Sequence, residues 1–177
     1  IHATRLNCLG VGQRSGGFTD ALLERGARRV VGIDVVCGQV SPVLVCDARV
    51  LGFEGLNARD VAGSVFEEGE PPHSFDLIVA DLSFISLTLV LPRVAELLRA
   101  PVGKPIVALV KPQFEVGRDQ VGKGCVVRDE ALRRGAVAKI RSWATAYGFS
   151  CGDGVESPVP GPPRTGAPWC VPATGPP

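Results

Sequence analysis

Two short apolar runs each close on a residue that can hold or move a proton: Asp76-Leu77-Ile78-Val79-Ala80-Asp81 and Ile106-Val107-Ala108-Leu109-Val110-Lys111. A near-continuous apolar, β-branched run bounded by turn signals predicts a strand covered on both faces of a parallel sheet. In open α/β sheets the chemistry lies just beyond the carboxyl ends of such strands, so Asp81 and Lys111 are expected in one crevice. Burial in general disfavours a charged amine, and a neutral amine can take a proton from a hydroxyl, which makes Lys111 a candidate base. Asp81 taken alone reads equally well as a turn or cap carboxylate. Pro112-Gln113-Phe114-Glu115 follows Lys111 and is expected to bring an aromatic ring, polar groups and a carboxylate to the same rim. Phe114 itself reads first as core and only second as a surface on which a base could stack.

A second set of residues lies nearer the N-terminus. Gly10-Val11-Gly12-Gln13-Arg14-Ser15-Gly16-Gly17 follows one expected strand and precedes a helix. Glycines let a ligand approach the backbone, and a helix N-terminus offers free N–H groups. The spacing is one residue longer than the dinucleotide fingerprint. Asp34 ends the next expected strand, 22 residues after Gly12, where an acid can accept hydrogen bonds from both ribose hydroxyls. Together the two features favour an adenosine-bearing cofactor over a plain structural turn.

These residues need a scaffold of alternating strands and helices. Leu6–Val11 and Arg29–Asp34 read as strands, with a helix from about Phe18 to Arg25 stopped by Gly26. A weaker extended segment lies near Val50 to Leu56. After the Asp76–Asp81 strand, Leu87, Val90, Leu91, Val94, Leu97 and Leu98 recur at helical spacing. Pro92 falls inside that pattern and is expected near the first turn, where its missing N–H costs nothing. Beyond the Ile106–Lys111 strand, Asp129 is placed to cap a helix whose apolar face is Leu132, Ala136, Ile140, Trp143 and Tyr147, with Gly148 ending it. This order predicts a doubly wound, mostly parallel α/β sheet. From Ser157 the character changes, with 8 of the 15 prolines in the last 21 residues. Proline cannot donate to a central ladder, so residues 157–177 are expected to be disordered and to leave the sheet without its last strand. The expected globular unit is then residues 1–156.

Composition narrows the class. A chain of 177 residues, 45% hydrophobic and 21% charged, fits one soluble domain. No apolar stretch approaches the roughly 20 residues of a membrane span, and Ile1-His2-Ala3-Thr4-Arg5 lacks the design of a signal peptide. The first strand starts almost at once, without a methionine, so the chain reads as a piece of something longer and as cytoplasmic. The six cysteines form no C-x-x-C pair, and His2 and His73 add no ligand cluster, which argues against a metal. Residues 104–149 hold 9 basic and 4 acidic side chains, an excess that can attract phosphate, although a solvated helix face accounts equally well for Arg133, Arg134, Lys139 and Arg141.

Four segments carry a wider likeness. They are Gly16-Gly17-Phe18-Thr19-Asp20, Val79-Ala80-Asp81-Leu82-Ser83-Phe84-Ile85-Ser86-Leu87, Leu109-Val110-Lys111-Pro112-Gln113-Phe114-Glu115-Val116-Gly117-Arg118 and Val121-Gly122-Lys123-Gly124-Cys125-Val126-Val127-Arg128-Asp129. From about residue 6 to 161 the chain resembles the TlyA (haemolysin A) family, whose members are S-adenosylmethionine-dependent ribose methyltransferases of ribosomal RNA related to the FtsJ type. The resemblance implies a Rossmann-like methyltransferase domain acting on cytidine 2′-hydroxyls, with a Lys-Asp-Lys-Glu active site. Asp81 matches its aspartate and Lys111 its second lysine. Gly12, Gly16, Gly17 and Asp34 match cofactor positions, and Asn57 is implied beside the adenine. Methyl transfer of this kind needs in-line placement and a base, and no metal. Ribosomal RNA or ribosomal subunits are the implied partners.

The chain also departs from the pattern. Gly10 stands where the family has an acid, Gln13-Arg14-Ser15 replaces small residues, and Cys125 replaces a glycine. The family's first lysine and its small RNA-binding domain belong upstream of Ile1. After Gly161 the family continues into a glutamate and a closing apolar strand, where this chain has Pro162-Pro163-Arg164-Thr165-Gly166-Ala167-Pro168. Three other readings stay open at this level: a non-catalytic remnant of the fold that keeps cofactor or RNA contact, a nicotinamide oxidoreductase supported by the glycine turn and Asp34, and the membrane lysis implied by the old family label.

Overall fold

Alternation of apolar side chains along five strands gives one sheet two buried faces, and helices cover both. The computed structural model describes residues 2–61, 75–98, 103–157 and 169–174. Strands β1 (Asn7–Val11), β2 (Arg29–Asp34), β3 (Val50–Glu54), β4 (Leu77–Ala80) and β5 (Pro105–Val110) run parallel in the order β3-β2-β1-β4-β5. On one face Cys8, Val30, Leu77, Val79 and Val107 pack against Leu22 and Leu23 of α1 (Gly17–Glu24) and Leu44 of the short α2 (Pro42–Val45). On the other face Leu9, Ile33, Ile78, Ile106 and Val110 meet α3 (Leu87–Ala95) and α5 (Glu130–Ala146). The doubly wound α/β expectation holds. Strand order reverses between β1 and β4, so the loops leaving their carboxyl ends diverge and open a crevice at that point.

Local chemistry sets the element ends. Gly26 adopts φ +81° just after α1, a conformation that suits glycine at a helix stop. Asp129 caps α5, its carboxylate accepting from the N–H groups of Ala131 at 2.7 Å and Leu132 at 3.3 Å. The buried face of α5 is Ala136, Val137, Ile140 and Ala144, turned from the expected one. Tyr147 is 56% exposed and stacks on Trp143, ring centroids 4.4 Å apart. Pro92 lies inside α3, five residues past its first residue rather than in its first turn. The bond its nitrogen cannot make is a local cost that the burial of Val90, Leu91 and Val94 offsets.

The largest correction concerns the proline-rich segment. Trp169–Thr174 forms a strand, β8, that pairs antiparallel with β5 from Pro105↔Thr174 to Val110↔Trp169. Its other edge takes β6 (Ser150–Cys151) and β7 (Val155–Glu156). The last strand is present, the sheet extends beyond residue 156, and residues 157–177 are not uniformly outside it. Pro172 sits within β8 opposite Val107 and is followed by ladder partners on both edges, so one proline among six residues did not exclude a strand. Residues 158–168 and 175–177, on which the rest of the disorder expectation falls, lie outside the described residues, as does His73.

Candidate active site

The turn after β1 is shaped by backbone constraints. Gly12 adopts φ +80° and donates its N–H to Ile33 O at 2.9 Å. A Cβ placed there would lie 2.5 Å from the Asp81 carbonyl oxygen, so only glycine lets the β1 turn sit against the end of β4. Gly16 adopts φ +98° at the N-terminus of α1, and a Cβ there would collide with the Leu44 side chain. Arg14 takes φ +46°, and its N–H donates to Asp34 Oδ2 at 2.7 Å. Asp34 Oδ1 accepts from Val36 N–H at 2.9 Å. The buried Asp34 carboxylate therefore ties the glycine turn to the loop after β2, and each of its oxygens keeps a lone pair for a further donor.

The opposite wall is held by side-chain charge. Asp81 hydrogen-bonds through its backbone N–H to Val11 O at 2.8 Å, which seats it beside the glycine turn. Its Oδ1 lies 2.6 Å from Lys111 Nζ, and the two side chains are 22% and 13% exposed. The Lys111 ammonium also donates to Ser83 Oγ at 2.9 Å. Apart from the ammonium contact, Asp81 Oδ1 is sealed from solvent and makes no hydrogen bond with a described group. The Asp81 oxygen and the Lys111 ammonium therefore satisfy each other away from solvent. Phe84 holds φ +66° and is 87% exposed, with its ring 5.2 Å from that of Phe114. An exposed aromatic in a strained backbone conformation is held there against its own preference.

One cleft of about 830 Å³ joins the two walls. Gly12, Asp34, Asn57, Asp81 and Lys111 line it, together with Ser83, Phe84, Gln113 and Phe114. Five of the seven expected site residues thus share one cavity. Gly16 and Gly17 stand at the start of α1, outside the cleft lining, and packing against Leu44 already accounts for the glycine at 16. Asn57 Oδ1 accepts from Arg59 N–H at 3.0 Å, a local turn that fixes the side chain at the cleft wall. Phe114 lines the cleft rather than the core. Glu115, expected at the rim, is instead buried and turned toward α3.

Sequence reasoning missed two residues of the cleft wall and the burial of Gln13 beside the glycine turn. Ser83 and Phe84 lie one turn past a strand end and carry no periodic signal. Gln13 is only 7% exposed: it lies over Gly32, where a Cβ would collide with its amide, and donates to Thr19 Oγ1 at 3.3 Å. The usable signal was the register of three glycines, Gly10↔Gly32↔Gly52, which clears a lane across β1, β2 and β3. Among the described residues no helix is long and apolar enough to cross a membrane, and no group of three or more metal-ligating side chains assembles.

Comparison with known proteins places this geometry. The model of the FtsJ-like methyltransferase family matches residues 1–164. The 16S/23S rRNA (cytidine-2′-O)-methyltransferase TlyA of Mycobacterium tuberculosis is 44% identical over 155 residues, 88% of this chain and 55% of that protein. The chain thus spans about half the length of that curated relative. A structure from Lactococcus lactis described as a candidate hemolysin superimposes with a TM-score of 0.88 at 34% identity, covering 98% of this chain and 80% of that one. A candidate S-adenosylmethionine-dependent methyltransferase from Listeria monocytogenes shares the fold alone, with a TM-score of 0.66, 17% identity, and coverage of 99% and 92%.

Proposed function

Because the chain belongs to the FtsJ-like methyltransferase family, we propose that it is the methyltransferase domain of a TlyA-like enzyme that methylates cytidine 2′-hydroxyls of ribosomal RNA in the cytoplasm. The observation that carries this reading is the Asp81–Lys111 pair, 2.6 Å apart on the wall of the cleft that also holds Gly12 and Asp34. A proton acceptor and a cofactor-sized cradle in one cavity are what transfer to a hydroxyl requires.

The residues fit S-adenosylmethionine. The cleft volume falls in the range of roughly 300–1,000 Å³ typical of small-molecule sites, and Ile33, Val35, Val36 and Leu56 give its β2 end an apolar lining suited to adenine. Asp34, fixed by two backbone N–H groups, would accept from the ribose hydroxyls. Gly12 and Asn57 line the same cleft and would hold the rest of the cofactor, the bare backbone at Gly12 allowing close approach. When bound, the cofactor supplies an electrophilic methyl group on a sulfonium.

The chain's own residues do the rest. With one proton of the ammonium passed to Asp81, 2.6 Å away, the neutral Lys111 amine takes the proton of the attacking 2′-hydroxyl, and Ser83 holds the amine in place. Phe84 and Phe114 offer aromatic surface to the nucleotide that carries the hydroxyl. The basic stretch 104–149, with Arg118, Lys123 and Arg128, supplies attraction for the phosphate backbone.

Calorimetric titration with S-adenosylhomocysteine tests the reading. Micromolar binding is expected. It should weaken roughly 10- to 150-fold in Asp34→Ala, the loss of charged hydrogen bonds worth about 1.5–3 kcal/mol. A folded chain that takes up no S-adenosylhomocysteine would sink the proposal.

A further inference from the structure

Glu115 is the most deeply buried charged group whose role the reaction leaves unexplained, its side chain 1% exposed. A carboxylate taken out of water is costly unless its oxygens are fully engaged. These are: Oε2 accepts from Ser86 Oγ at 2.6 Å and from Lys139 Nζ at 3.2 Å, and Oε1 accepts from Leu87 N–H at 2.8 Å. Lys139 Nζ also donates to the Glu115 carbonyl at 2.8 Å. One side chain therefore joins three elements: the turn α4 (Pro112–Glu115), the first residues of α3, and α5.

The position of this knot in the chain gives it a meaning beyond capping. Ser86 ends the loop that starts at Asp81, and Glu115 ends the turn that starts at Lys111, where Phe114 N–H bonds back to Lys111 O at 2.9 Å. Asp81 and Lys111 are fixed at one end by neighbouring parallel strands. The two loops leaving those strands are fixed at their far ends to each other, through Glu115. Two loops pinned at both ends have little freedom to separate.

We propose that Glu115 is a positioning residue that sets the distance between Asp81 and Lys111 by clamping the loops that carry them. It lies outside the cleft lining and acts through the backbone on both sides of the pair. The proposal rests on the reading of Lys111 as the base, and it adds a residue that tunes the geometry of that base.

The chain contains only four lysines, Lys104, Lys111, Lys123 and Lys139, which makes a direct test simple. In protein labelled with carbon-13 at the lysine ε-position, four side-chain cross-peaks are expected, with Lys111 assigned by Lys111→Arg. Glu115→Gln keeps an acceptor for Leu87 but loses the charge that faces Ser86 and Lys139. It should move the Lys111 cross-peak by more than its line width and leave Lys104, paired with Asp76 at 3.0 Å, where it was. Ser86→Ala, a milder cut of the same clamp, should move Lys111 in the same direction by less. It decides the matter if Glu115→Gln fails to fold. A capping role alone would move only the Lys139 signal, and a Lys111 cross-peak unmoved in the folded variants overturns the proposal. The measurement needs no cofactor, so failure to bind S-adenosylhomocysteine would remove the proposed function without deciding this one.

Discussion

The β1–β3 wall of the cleft is held by backbone and the β4–β5 wall by charged side chains. On the first, Gly12 at φ +80° and Arg14 at φ +46° shape a turn whose N–H groups reach Ile33 and Asp34. On the second, Asp81, Lys111, Glu115 and Lys139 form two ion pairs at 2.6 and 3.2 Å. The first wall is backbone drawn around one buried carboxylate, Asp34, which holds the Arg14 and Val36 N–H groups. The second wall carries the group that must exchange a proton, held by ion pairs on both of its loops. Holding the cofactor and moving the proton are therefore built in different materials.

Removing the amine should do most to the second wall and nothing to the first. Lys111→Ala is expected to slow methyl transfer to ribosomal RNA by roughly 10²–10⁴-fold, the usual worth of a general base. Affinity for S-adenosylhomocysteine by calorimetry should stay within about twofold. Loss of cofactor affinity in that variant would mean that the walls are not independent.

The converse break is Gly12→Ala. The added Cβ meets the Asp81 carbonyl at a backbone angle that strains any other residue, at a cost on the order of 1–3 kcal/mol. The thermal midpoint should fall in proportion to that cost, and affinity for S-adenosylhomocysteine should fall with it as the turn is pushed away from the end of β4. Phe84→Ala is expected to act on the substrate side only. It should weaken binding of a ribosomal RNA fragment by about 1–3 kcal/mol for a lost base stack, with cofactor affinity unchanged in the same preparation.

The smallest effect is chemical. Burial, with the nearby Asp76 carboxylate adding to it, pushes the Cys8 thiol on β1 up to about 12. The folded chain therefore keeps Cys8 neutral where an unfolded one begins to ionise it, near 9.0. That contribution to stability is whole below pH 9 and is lost as pH climbs toward 12. Mass spectrometry after iodoacetamide treatment at pH 8 should find Cys8 unlabelled, while the exposed Cys37, Cys46 and Cys125 react.

The parts of this molecule that announce themselves in sequence are those governed by local periodicity. The runs ending at Asp34, Asp81 and Lys111 became strands within a residue of their expected ends, because buried parallel strands are nearly uniform in character. What stayed hidden depends on partners distant in the chain. Nothing local says that Glu115 turns inward to Ser86 and Leu87, 28 and more residues away. The orientation of Tyr147 depends on which side of α5 meets the sheet, a tertiary choice that a one-residue rotation alters. Trp169–Thr174 is masked by the prolines that surround it, seven of the eight in residues 157–177 lying outside the strand, whereas a ladder is decided position by position.

That strand has a consequence in time. Until Trp169–Thr174 arrives, the outer edge of β5 presents the unpaired backbone of an Ile-Val-Ala-Leu-Val run. Residues 111–168 must be synthesised first, which takes a ribosome roughly three to twelve seconds at about 5–20 residues per second. Through that interval the nascent sheet has an open, flat, apolar edge, the kind of template on which foreign strands pair and aggregates begin. The vulnerable interval of this sheet therefore runs from the completion of β5 to the arrival of β8, and the segment that ends it lies in the most proline-rich part of the sequence.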